Sequence, residues 1–159
     1  MHGEHTVVVH RPAEVVFDHI ADGSRNSGWR PWVIEVGRSS GDGGEGSVWR
    51  QLVHGPAGKV ADADYVVTAW RRPEFYAYTV TAGPVRGTAE YTLAESAPAR
   101  TTVTLAVTLS PRGAPRLLTG FALRQSVGQL DRLEPPPAAP APPAQAPRCH
   151  PCVPPPPPP

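Results

Sequence analysis

Cysteine is almost missing from this 159-residue chain: there are 2, Cys149 and Cys152, both in the final stretch, so no disulfide can staple anything upstream. Lysine is scarcer still. Lys59 is the only one, so the positive charge is carried by arginine, read mainly as the mark of a GC-rich genome. Lys plus Arg number 15 against 14 for Asp plus Glu, a formal charge of +1, and this leaves no electrostatic footprint for nucleic acid or an anionic membrane. No apolar run is long enough to cross a bilayer, and the opening MHGEHTVVVHRP has no basic segment followed by an apolar one. The expectation is a cytoplasmic protein without membrane insertion. His2, His5, His10 and His19 form no paired ligand spacing, so neither a metal nor a cofactor is expected.

What the chain has in excess is proline, 22 residues, and these crowd its end. From Pro135 proline and alanine dominate, closing on the run Pro154–Pro159, which reads as an extended, solvated polyproline tail. The expected organisation is one domain over residues 1–134, long enough to close a single core, and a disordered tail over 135–159. Cys149-His150-Pro151-Cys152 has the CxxC spacing of thiol redox sites, but prolines surround it where such a site needs a helix N-terminus to favour the thiolate.

Within the domain, residues 46–109 alternate apolar and polar positions between short Gly/Pro turns, the pattern of an antiparallel meander. Val103, Leu105, Val107 and Leu109 share one face, opposite Thr102, Thr104, Ala106 and Thr108; Ala89, Tyr91 and Leu93 repeat the period. Strands are expected at Glu4–His10, Val33–Arg38, Ser47–His54, Lys59–Trp70, Phe75–Ala82, Val85–Ala94 and Arg100–Ser110, about seven in all. A sheet with one apolar face needs a cover. Helices to supply it are expected over Pro12–Ala21, with Val16, Phe17, Ile20 and Ala21 as its stripe, and from Pro115 to Leu133, where apolar residues cover an arc wide enough for contact on two sides.

The run Val9-His10-Arg11-Pro12-Ala13-Glu14-Val15-Val16-Phe17-Asp18-His19-Ile20-Ala21-Asp22, followed by Trp29-Arg30-Pro31-Trp32, resembles the opening of the START-like superfamily, specifically its polyketide cyclase/dehydrase and lipid-transport group. Gly46-Ser47-Val48-Trp49-Arg50 and Ala69-Trp70-Arg71-Arg72-Pro73 are similar to further positions of that pattern. The resemblance spans Val7 to about Glu134. It implies an α+β helix-grip fold, a curved antiparallel sheet wrapped around a long C-terminal helix, with a cavity for a small hydrophobic or polyketide-like molecule. It carries over no catalytic residue. Two roles follow as expectations: a binding or carrier protein, monomeric or weakly dimeric, or a cofactor-independent cyclase/dehydratase.

Ligand contacts are expected from Trp29, Trp32, Trp49, Tyr65, Tyr76, Tyr78, Tyr91 and Phe121, which offer flat apolar walls and a few hydroxyl donors. The competing reading makes the same rings core filler. His54 and Glu90 are candidates for acid and base in an enolisation or dehydration, and Arg50 or Arg86 for polarising a carbonyl. Against these stand ordinary surface roles: Glu90 shares a strand face with Thr88 and Thr92, His54 adjoins a turn, and an unpaired buried arginine is costly.

Overall fold

The computed structural model describes residues 1–111, 113 and 115–133. The expected proline-rich tail and its CxxC lie outside the described residues. The elements run β1 (His2–Val9), α1 (Ala13–Ala21), α2 (Asn26–Trp29), β2 (Val33–Ser40), β3 (Val48–His54), β4 (Val60–Asp62), β5 (Tyr65–Arg71), β6 (Phe75–Val80), β7 (Val85–Ala97), β8 (Arg100–Pro111) and α3 (Arg116–Gly128). The strands form one antiparallel sheet in the order β1-β8-β7-β6-β5-β3-β2, with β4 paired to β3. The expected α+β helix-grip architecture is the one observed, an open antiparallel sheet with a C-terminal helix.

Alternation decides which face is inside. Val103, Leu105 and Val107 are buried on β8, and the register sets Leu105 against Tyr91 and Val103 against Leu93. Register shifts between Val67 and Ala69 of β5, and twice along β2, mark irregularities of the kind that bend a sheet. The expected single strand Lys59–Trp70 is in fact two. Asp64 breaks it: its carboxylate accepts from the Gln51 amide at 3.0 Å, and its carbonyl oxygen accepts from the Thr81 amide at 2.7 Å. Strand β3 therefore changes partner, pairing β5 through Val48 and Trp49 and β4 beyond Gln51, which brings the strand count to 8.

Pro12 sits one position before the first helical residue of α1, where its carbonyl accepts from the Val15 and Val16 amides. The helix buries Val16, Phe17, Ile20 and Ala21. Outside, Asp18 accepts from Arg72 at 2.7 and 2.9 Å, which ties α1 to the β5–β6 turn and holds the Asp18 carboxyl below its ordinary value. The last turn of α1 buries His19, whose two ring nitrogens have no partner among the described residues. Burial holds the His19 pKa below its ordinary 6.5, and repulsion from Arg25 and Arg30 adds to the effect.

Helix α3 is seated more shallowly than the wide apolar arc predicts. Within Arg116–Gly128 only Thr119 is fully buried, while Leu117, Phe121, Arg124 and Gly128 form an exposed face at helical spacing. The α-helix also stops at Gly128; a 3-10 turn, Gln129–Arg132, follows and places Leu130 and Leu133 in the core. The helix lies against β8, β1 and β7. It passes close over Gly3, where a Cβ would stand 3.1 Å from Leu123 Cδ1 and 3.2 Å from Val127 Cγ2.

Two outcomes follow. Gly3→Val should cost about 1–3 kcal/mol by overpacking and speed amide exchange across residues 116–128, leaving β7 and β8 protected; equal loss in both regions would contradict this placement of α3. For His19 the unfolded chain takes up a proton near pH 6.5 while the folded one resists, so its share of stability is complete above 6.5 and lost as pH falls through the depressed folded value. Urea unfolding at stepped pH should show that acid-side loss in the native protein and a flatter profile in His19→Leu.

Candidate functional site

The concave space between sheet and helices divides into a filled half and an open half. Under α1, Phe17 meets Trp70 edge-on at 5.3 Å and Tyr76 at 6.3 Å, and Trp49 stacks on Tyr65 at 6.4 Å. Gly23 lies so close that a Cβ there would collide with Trp49 and Tyr65. This end is a solid aromatic plug. Towards α3 the packing opens into a cavity of about 130 Å³, walled by residues such as Val53, Val80, Val85, Leu109, Leu118 and Phe121.

Arg30 stands at the base of that cavity. The residue before a proline is pushed out of helical geometry, and Arg30, preceding Pro31, ends α2 at φ −98 and ψ 104. Its amide closes the last turn on the Asn26 carbonyl at 2.9 Å, and its side chain is buried, 3% exposed. Nη1 donates to the Tyr78 hydroxyl at 3.1 Å and Nη2 to the Tyr91 hydroxyl at 3.2 Å. The guanidinium carbon lies 4.6 Å from the Trp29 ring centroid, a cation–π contact. Gln129, on the turn after α3, donates to the Tyr91 oxygen at 2.8 Å. Beside this group Asn26 donates to the Gln51 Oε1 at 3.0 Å and to the Tyr65 hydroxyl at 3.1 Å. One polar floor thus joins α2, four strands and the C-terminal turn.

The floor is positively charged. None of the ion pairs among the described residues involves Arg30; they join His5 to Asp131, Arg25 to Asp22, and Arg72 to Glu14 and Asp18. Burial works against the Arg30 charge and the phenol oxygens that accept from it work the other way, so the guanidinium stays protonated. Burial likewise pushes the Tyr65 phenol up to about 12 and raises Tyr76 and Tyr91. All three phenols are neutral at physiological pH.

Of the expected ligand contacts, Trp32, Tyr78 and Phe121 line the cavity. Trp49, Tyr65 and Tyr76 belong to the plug, Trp29 packs against Arg30, and Tyr91 stands behind Arg30 with no surface on the cavity. The physical reason is that rings under α1 find partners among themselves and leave no gap. His54 borders the cavity at its exposed mouth, where its backbone carbonyl accepts from Gln125 at 3.4 Å. Glu90 is exposed on the outer face, opposite Ala77 and Ala106; Arg86, in the same alternation, is half-buried, and Arg50 is exposed. None of these three lines the cavity. Sequence reasoning missed Arg30, Gln51, Asn26 and Gln129. The available signal was Arg30-Pro31, an arginine whose extended backbone is dictated by its neighbour, placed between two indoles.

The family model described as polyketide cyclase / dehydrase and lipid transport matches residues 1–134. No curated protein matches the chain. Among solved structures, the chain is similar to the Zhui aromatase/cyclase from Streptomyces sp. R1128, at 23% identity over 84% of this chain and 90% of that one, TM-score 0.72. A START superfamily protein from Mycobacterium smegmatis matches at 16% identity over 82% and 94%, TM-score 0.68. Ara h 8.0201 matches at 19% identity over 84% and 94%, TM-score 0.66. At these identities the structures share the fold, and it is the family model that assigns membership. With a helix-grip fold, an apolar cavity under α3 and that match over 1–134, the chain belongs to the polyketide cyclase/dehydrase and lipid transport family.

Proposed function

We propose that this protein binds and carries a small hydrophobic, polyketide-like molecule in the cytoplasm, held between the sheet and α3. The observation that carries the reading is the cavity itself: apolar walls closing on a base of Arg30, Tyr78, Gln51 and Gln129. Such a site suits a guest with a flat or aliphatic body and one polar end. The shallow seat of α3 supports exchange, since Phe121 lines the cavity and is 38% exposed at the same time.

A cofactor-independent cyclase or dehydratase is the second reading, favoured by the convergence of Arg30 and Tyr78 within hydrogen-bond reach. Two donors at one point can hold a carbonyl oxygen as negative charge develops on it. The chemistry also needs a base to take a carbon-bound proton, and the cavity base offers a guanidinium, a hydroxyl and two amides, with no carboxylate or imidazole among them. Among the lining residues only His54 and Asp62 can accept a proton, and both are exposed. That imbalance ranks the carrier first.

Ala122 lines the cavity from α3 and is half-buried. Ala122→Trp should fill the space, abolishing the fluorescence gain of the neutral dye phenylnaphthylamine while moving the melting temperature by only a few degrees. Undiminished dye uptake in that variant would contradict the site.

A further inference from the structure

We infer that the guest carries a carboxylate, seated on the Arg30 guanidinium beside the Tyr78 hydroxyl, with its apolar body lying against Val80, Val85, Leu109 and Leu118. This rests on the binding role proposed above and names the class of guest: a small amphiphilic acid.

The argument starts from an incomplete coordination. Arg30 is buried to 3% exposure and offers five N–H donors; Nη1 and Nη2 each place one on a phenol oxygen, and Nε finds no acceptor among the described residues. Its acceptors are hydroxyl oxygens and none of the ion pairs among the described residues involves it, so the positive charge at the base of the cavity is hydrogen-bonded without facing a carboxylate. Protein interiors normally match such a charge with a carboxylate, because the guanidinium fork and the carboxylate share a planar, bidentate geometry.

The acids nearby do not fill that role. Asp22 is committed to Arg25 and Ser24, and Asp64 accepts from the Gln51 amide. Asp62 borders the cavity but is exposed and makes no ion pair with Arg30. A carboxylate can thus be supplied to the site by a ligand.

The hydroxyls are arranged to help. The Tyr91 oxygen already accepts from both Gln129 and Arg30. Tyr78 accepts from Arg30 and lines the cavity, so its hydroxyl can turn its proton towards the second oxygen of a carboxylate. A neutral guest of the same shape would fill the apolar walls and leave the charge as it is. An acid would use both ends of the cavity.

The test uses the whole chain and a matched pair of probes of one shape, naphthoate and naphthamide, titrated calorimetrically at neutral pH. Naphthoate should bind tighter by about tenfold or more, the worth of one charge-assisted hydrogen bond. Arg30→Met, which replaces a buried charge by an apolar chain of similar length, should erase that preference and bring the two affinities together, with folding checked by circular dichroism. If Arg30→Met does not fold, the acid-to-amide ratio in the native protein and its reduction in Tyr78→Phe decide. Equal affinities in the native protein, or a preference that survives Arg30→Met, would overturn the inference. If the amide or phenylnaphthylamine binds and naphthoate does not, the carboxylate assignment falls while the binding role stands; if no probe binds, the role falls as well.

Discussion

A cation held in a protein interior with no carboxylate partner among the described residues is the constraint on which this structure turns. Taking a guanidinium out of water costs several kcal/mol, and here the return comes from two hydrogen bonds to phenols, worth about 1.5–3 kcal/mol each when a charge is involved, and from the face of Trp29. Those terms are of the same size as the cost, so the buried charge is tolerable. Its hydrogen bonding is also incomplete, since Nε has no acceptor among the described residues. The elements that satisfy Arg30 come from distant parts of the chain: Tyr78 from β6, Tyr91 from β7, and Gln129, through Tyr91, from the turn after α3. One buried charge therefore ties the short α2 segment to the sheet and to the C-terminal cover.

The two halves of the concave face serve different ends. Under α1 the aromatic rings pack on one another at centroid distances near 5–6 Å, giving the domain its rigid floor. Under α3 the helix packs tightly over Gly3, while Leu118, Ala122 and Gln125 of the same helix border the cavity. A helix that buries little along its first turns and is anchored by Leu130 and Leu133 beyond its end is the element best placed to yield when a guest enters.

Most of the sheet was legible because its signal is local. Period-2 alternation in Thr102–Leu109 and Gly87–Leu93 states both the strands and their buried face, and the turns carry Gly and Pro. The break at Asp64 was not legible, because it depends on a side chain accepting from a strand that precedes it by 13 residues. The candidate site was read half correctly for a similar reason. Alternation places Tyr65, Tyr76, Tyr78 and Tyr91 on the inner face together, but which of them meets a gap and which meets Phe17 or Trp49 is decided by how α1 and α3 cross the sheet. Arg30 was overlooked because a buried arginine is improbable on general grounds, and only the tertiary meeting of Trp29, Tyr78 and Tyr91 makes it affordable.

The central claim is that the space above Arg30 is a guest site and not a packing defect. Native mass spectrometry of the protein, purified gently from the cells that make it, addresses this directly. The account predicts a species heavier than the bare chain by one small acidic molecule, released on denaturation and recoverable in the organic extract. A spectrum holding only the bare chain, together with an extract free of any stoichiometric acid, would contradict it.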